Sequence, residues 1–186
     1  MKKRAFLIHG WEGTPEEGWR PWLKKELLSA GFSVIVPAMP DTNHPKMEAW
    51  VPFLAKQIGV PSENDYFVGH SLGCITILRY LETLKEGEKI GGAVLVAGFT
   101  DSLGYQELAG FFQTPINWSK IKSHCDRFVA IMSDDDPYVP LRHGNIFQQQ
   151  LAAKLTVERN KKHFSGDDGI NVLPSAKEAV LLLTES

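Results

Sequence analysis

The run Gly69-His70-Ser71-Leu72-Gly73 follows directly on the apolar stretch Asp65-Tyr-Phe-Val-Gly69 and directly precedes the helical pattern Ile75-Thr-Ile-Leu-Arg-Tyr-Leu81. A Gly-x-Ser-x-Gly sequence between a strand and a helix demands a turn so sharp that the flanking positions cannot carry side chains. Glycine at both ends permits the strained backbone and a close approach of strand to helix. The serine then points out of the sheet, and the amide of Leu72 opens the helix as a donor to developing negative charge. A turn of this kind belongs at the carboxyl end of a central strand in an open α/β sheet.

The rest of the chain repeats that grammar. Short apolar runs alternate with longer helical patterns, which predicts βαβ units around a parallel sheet. Strands are expected near Ala5–His9, Ser33–Pro37, Tyr66–Gly69, Ala93–Ala97, Phe128–Met132 and Leu155–Arg159. Val34-Ile-Val36, Val94-Leu-Val96 and Phe128-Val-Ala-Ile-Met132 are apolar without alternation, as strands covered on both faces are. Helices are expected over Glu16–Ser29, Met47–Ile58, Leu72–Leu84, Arg142–Lys154 and Ser175–Thr184, with Gly31 capping the first. At 186 residues, without repeats or linkers, the chain reads as a single domain over 1–186. Such a domain buries roughly 70% of its unfolded surface. The stretch 98–126 lacks a clear pattern and is expected to hold one or two short helices. Loops of that length are usually functional, so it reads as a small cap-like insertion beside the site.

Charge and cysteine usage exclude several classes of function. The formal net charge is −2, and Lys161-Lys162 and Met1-Lys-Lys-Arg4 are too short to form a basic stripe. Nucleic acid and acidic membrane surfaces are therefore not expected partners. Met1-Lys-Lys-Arg4 imitates the start of a signal peptide, but the apolar run Ala5-Phe-Leu-Ile8 stops at His9. A signal core needs about 7–15 residues, so a cytoplasmic location is expected. The two cysteines, Cys74 and Cys125, lack zinc spacing and predict no disulfide in that compartment. Histidines and carboxylates are not paired as metal ligands, and no Gly-rich phosphate loop is present, so no metal and no cofactor are expected.

A serine hydroxyl needs an adjacent base, and the base needs an acid to hold it. Behind an elbow of this type the acid and then the histidine follow in chain order. Ser133-Asp-Asp-Asp-Pro-Tyr-Val-Pro140 follows the fifth expected strand, and Asn160-Lys-Lys-His-Phe164 follows the sixth. Both lie at carboxyl strand ends, on the rim where open α/β sheets bind their ligands. Asp136 is favoured over Asp135 as the acid because Pro137 makes its turn rigid, and Asp134 reads as a solvated turn residue. Among six histidines only His163 has both the chain order and the strand-end position. His70 is committed to the elbow through its backbone, and His143 is the reserve candidate. The second oxyanion donor is expected from His9-Gly-Trp-Glu-Gly13, with the amide of Trp11 the favoured group.

With these residues placed, the chain resembles the α/β-hydrolase superfamily. More narrowly it resembles the small serine hydrolases grouped with retinoblastoma-binding protein nine and the bacterial YdeN-like proteins. The narrower likeness runs through Met39-Pro-Asp41, Trp50-Val-Pro-Phe53, Gly69-His-Ser-Leu-Gly73, Arg79-Tyr80 and Glu82-Thr83. It continues through Pro115-Ile-Asn-Trp118, Lys120-Ile-Lys122, Cys125, Asp135-Asp-Pro137 and His163-Phe164. The resemblance implies a three-layer α/β/α sandwich, a mostly parallel six-stranded sheet of order 2-1-3-4-5-6, and a triad of Ser71, Asp136 and His163. The Leu-x-Cys-x-Glu retinoblastoma-pocket motif of the human relative is missing, since Leu72-Gly-Cys-Ile-Thr76 lacks the glutamate. The expected chemistry is cleavage of an ester, thioester or amide of a small substrate through an acyl-enzyme. The competing class is a non-catalytic protein-interaction module on the same scaffold. The pattern calls for no particular oligomeric state.

Overall fold

The computed structural model describes residues 2–185. Six strands form one parallel sheet: β1 (Arg4–Ile8), β2 (Ser33–Ile35), β3 (Asp65–His70), β4 (Gly92–Val96), β5 (Phe128–Ser133) and β6 (Lys154–Glu158). Their order is β2-β1-β3-β4-β5-β6, and every neighbouring pair is parallel. The chain leaves β1 outward to β2 and returns to the far side of β1 with β3. The ends of β1 and β3 therefore flank the point where the winding reverses, and open sheets form their crevices there.

Both faces of the sheet are covered, which is why the central strands show no polar alternation. On one face Phe6, Ile8, Phe67, Leu95, Ala130 and Met132 pack under α2 (Met47–Ile58), α3 (Leu72–Leu81), α4 (Trp118–His124) and α5 (Arg142–Leu151). On the other, Leu7, Val68, Val94, Val96 and Ile131 pack under α1 (Arg20–Ser29) and α6 (Pro174–Leu182). Helix α2 buries Trp50, Val51, Leu54 and Ile58, a one-sided helical spacing. All ten residues of α3 are buried, because this helix lies between the sheet and other helices.

Arg4 opens β1. Its Nε and Nη2 each donate at 2.6 Å to the buried carboxylate of Asp65, a bidentate clamp joining the starts of β1 and β3.

Three helix boundaries differ from the sequence expectation by three residues or more. Helix α1 begins at Arg20 and not Glu16, because Gly18 takes a positive φ of 57° and Pro21 occupies the first turn. Helix α3 ends at Leu81, three residues short of the expected Leu84. Helix α5 stops at Leu151, where Ala152 turns left-handed at φ 53°. The stretch 98–126 contains a 3₁₀ helix, Gln106–Phe112, and then α4. Its Phe99, Leu108, Phe111 and Ile121 are buried in the same core as α3. No helix among the described residues is long and apolar enough to cross a membrane.

Candidate active site

Ser71 sits between β3 and α3 with φ 54° and ψ −118°, a conformation that costs about 1–3 kcal/mol outside glycine and persists only under external constraint. The constraint is visible at its neighbours. A Cβ on Gly69 would lie 2.7 Å from the Cys74 nitrogen, and one on Gly73 would lie 2.3 Å from the Ile8 carbonyl oxygen. Neither position tolerates a side chain, so α3 rests against the strand ends and presses Ser71 outward.

The hydroxyl of Ser71 donates to His163 Nε2 at 2.9 Å, and His163 Nδ1–H donates to Asp136 Oδ2 at 2.9 Å. The protonation pattern follows from the partners. The other carboxylate oxygen of Asp136 accepts the amides of Tyr138 at 2.9 Å and Val139 at 3.0 Å. An acceptor-only carboxylate places the imidazole proton on Nδ1 and leaves Nε2 free to accept. The Asp136 side chain is 1% exposed and that of His163 15%, so the pair is shielded while the imidazole still reaches the crevice.

The aspartate cluster does more than supply one acid. Asp134 Oδ1 accepts the amide of Asn160 at 2.9 Å, and Asp135 Oδ1 accepts the amide of Lys162 at 2.8 Å and the Ser133 hydroxyl at 2.7 Å. The Ser133 hydroxyl and the Lys162 amide hold the Asp135 carboxyl below the usual carboxylate range. Three consecutive aspartates thus take three successive partners on the loop that carries His163. Asp134 is not a merely solvated turn residue, as its sequence setting suggested.

Trp11 and Leu72 line the same crevice as Ser71. Among the described residues neither Trp11 N–H nor Leu72 N–H has a hydrogen-bond acceptor. The Trp11 loop is held from beneath by His9, whose Nδ1–H donates to the Gly10 carbonyl at 2.9 Å while Nε2 accepts the Met39 amide at 3.1 Å. The crevice continues from Ser71 in two directions. One arm, about 340 Å³, is lined by Trp11, Leu72, Phe99, Leu103, Leu108 and Val139. The other, about 360 Å³, is more polar and includes Glu12, Glu17, Arg20, His70 and Asp167. A hollow of about 470 Å³ beside Glu63 and Asp126 lies at the amino ends of the strands and holds none of these residues.

The remaining candidates fall outside the relay. His143 is fully buried, and its Nδ1 accepts the Thr100 amide at 3.2 Å, whereas the Ser71 hydroxyl pairs with His163. Cys74 and Cys125 are buried free thiols. Burial pushes Cys125 up to about 12 and Cys74 higher still, which makes both packing residues and not nucleophiles. Among the described residues no group of three or more His, Cys, Asp and Glu side chains is placed to hold a metal ion. Two contributors were not legible from sequence. The His70 side chain reaches the His163 carbonyl, and Asp168 accepts the His163 amide at 3.1 Å.

The protein-family model described as serine hydrolase matches residues 5–181. The chain belongs to that family. It is 37% identical over 175 residues to YdeN of Bacillus subtilis (strain 168), covering 94% of this chain and 92% of YdeN. It is 30% identical over 170 residues to the serine hydrolase RBBP9 of Rattus norvegicus, covering 89% of each. The crystal structure of the B. subtilis ydeN gene product superposes with a TM-score of 0.95 at 34% identity and covers all of both chains. As a member of this family, the chain has the α/β-hydrolase architecture.

Burial of three neutral histidines has a consequence for this serine hydrolase in acid. Burial lowers the proton affinity of His9, His70 and His143 below that of a free imidazole, which titrates near roughly 6.5. The unfolded chain therefore binds more protons than the native one once the pH drops below that value, and stability falls with falling pH. Each of the three contributes a slope of up to about 1.4 kcal/mol per pH unit until its folded form also protonates. Urea unfolding midpoints are expected to be steady above neutrality and to decline steadily from pH 6.5 to 5. A flat profile across that interval contradicts the assignment.

Proposed function

We propose that the chain hydrolyses an ester, thioester or amide of a small substrate through an acyl-enzyme on Ser71. The observation that carries this reading is the continuous relay from Ser71 Oγ through His163 to Asp136, both links 2.9 Å long. In the first step Ser71 Oγ attacks the substrate carbonyl carbon as its proton passes to His163 Nε2. The amides of Trp11 and Leu72 receive the negative charge on the carbonyl oxygen. The bond to the leaving group breaks, and the imidazolium gives that group its proton. Water then attacks the acyl carbon and passes a proton to His163; the bond from that carbon to Ser71 Oγ breaks as the imidazolium returns the proton to Oγ, and the carboxylic acid leaves. Asp136 keeps its charge throughout and holds the proton on Nδ1.

The apolar arm of the crevice suits an acyl or aryl group of modest size, and the stretch 98–126 acts as its small cap by supplying Phe99, Leu103 and Leu108. Two buried free thiols suit a reducing compartment, so the cytoplasm is the proposed location.

A short-chain fluorogenic ester tests the reading. Its kcat/KM is expected to rise with pH along a single limb, because His163 accepts the serine proton only when neutral. His163→Ala is expected to remove that limb together with most of the activity, and a metal chelator to leave the wild-type rate unchanged. An alanine variant that keeps the same ascending limb places the base elsewhere. Loss of rate on chelation, restored by zinc, points to a metallohydrolase.

A further inference from the structure

We propose that His70 is a positioning residue for the base, its Nε2–H holding the main-chain carbonyl of His163 so that the imidazole stays on Ser71. The proposal rests on the reading of Ser71 and His163 given above. His70 Nε2 stands 2.7 Å from the His163 carbonyl oxygen, and a carbonyl only accepts, so this nitrogen carries the proton. The two residues are 93 positions apart in sequence, yet one directly precedes the nucleophile and the other is the base. The bond therefore ties the two reacting side chains together through their own backbones, independently of the hydroxyl–imidazole bond between them.

The surroundings show why such a tie is needed. Phe164, next to the base, is a buried bulky residue with φ 55°, a conformation that is strained for its type. Every main-chain group around it is pinned. Trp19 Nε1–H donates to the Phe164 carbonyl at 3.0 Å, and the Phe164 amide reaches Lys161 O at 2.9 Å. Asp168 Oδ2 accepts the His163 amide and both the amide and hydroxyl of Ser165. On the carbonyl of His163 itself, His70 is the donor. The His70 ring also fills the space between Trp19, at 5.9 Å between centroids, and His163, at 5.1 Å. Its neutral state matters as well. Burial and the neighbouring His163, Arg20 and His9 keep its proton affinity well below that of a free imidazole. A neutral His70 then adds no positive charge of its own against formation of the His163 imidazolium in the transition state.

Without the donor, the strained turn can relax by rotating the His163 peptide, which swings Nε2 away from Ser71. A displacement near 1 Å in a reacting group costs about a hundredfold in rate. His70→Leu is therefore expected to lower kcat, and the rate of covalent labelling by a fluorophosphonate, by about a hundredfold. KM is expected to stay within about twofold, since the apolar arm proposed for the acyl or aryl group is not lined by His70. His70→Gln, whose amide nitrogen can occupy the Nε2 position, is expected to recover both rates to within about tenfold of wild type. A folded His70→Leu protein that turns over like wild type overturns the proposal, as does a folded His70→Gln protein as slow as the leucine variant. Imidazole ¹⁵N shifts of the unmodified protein give a test that needs no variant. His70 is expected to carry its proton on Nε2 at neutral pH, the opposite tautomer to His163. A proton on Nδ1 alone overturns the clamp. Failure of the clamp and failure of the reaction itself are separable, because loss of labelling in Ser71→Ala reports the nucleophile whatever the His70 variants do.

Discussion

Asp136→Asn is expected to lower kcat by as much as about 10⁴-fold while the protein stays folded and Ser71 stays in place. The size follows from which way the new amide must face. Oδ1 of Asp136 accepts two main-chain amides, from Tyr138 and Val139. An asparagine keeps those bonds only with its oxygen toward them, which turns its NH₂ toward His163 Nδ1. That nitrogen must then become an acceptor, and the imidazole proton moves to Nε2, where it faces the Ser71 hydroxyl and cannot take its proton. Asp135→Asn is the control, since Asp135 accepts from Ser133 and the Lys162 amide while the imidazole is held by Asp136. The measurement is kcat and the fluorophosphonate labelling rate for both variants. A mild Asp136→Asn beside a damaging Asp135→Asn transfers the acid role to Asp135.

Ser71→Ala is expected to abolish covalent labelling and to lower kcat by at least roughly a thousandfold, leaving whatever rate the oxyanion amides and substrate binding still provide. The fold is expected to survive, because the elbow is held by the packing of Gly69 and Gly73 and by the Ser71 amide bond to Val96 O, not by the hydroxyl. A folded alanine variant with near-normal turnover removes Ser71 from the reaction.

Much of this architecture was legible in the chain because local pattern and global fold agree. The unalternating runs at Val94–Val96 and Phe128–Met132 became central strands covered on both faces, and the sheet order matches the order implied by the resemblance. Helix α2 runs over Met47–Ile58, as its one-sided spacing predicts. The start of α1 was misplaced because Glu16 and Glu17 look like a helical first turn, whereas Gly18 takes a backbone that no right-handed helix continues. The Gly-x-Ser-x-Gly turn nominates Ser71, the Asp-Pro turn favours Asp136 over Asp135, and chain order with strand-end position nominates His163; the folded chain brings those three side chains together. What stayed hidden were contacts between distant segments. No local pattern says that Asp134 accepts an amide 26 residues away, or that the His70 ring turns toward a carbonyl 93 residues on. Such partners are set by which strand ends become neighbours, and periodicity carries no record of that.

Strand β6 is an edge strand, paired only with β5 and half exposed along its length, and the loop bearing His163 hangs from its end. Ser71, by contrast, rests on β3 and a wholly buried helix in the middle of the sheet. Local opening is least costly at edges and most costly at the centre, so the two halves of the relay belong to regions of unequal cooperativity. Opening at that edge carries the base away from a nucleophile that remains fully formed, so the bonds that pin His163, Phe164 and Ser165 set how long the proposed reaction stays competent while the core is intact.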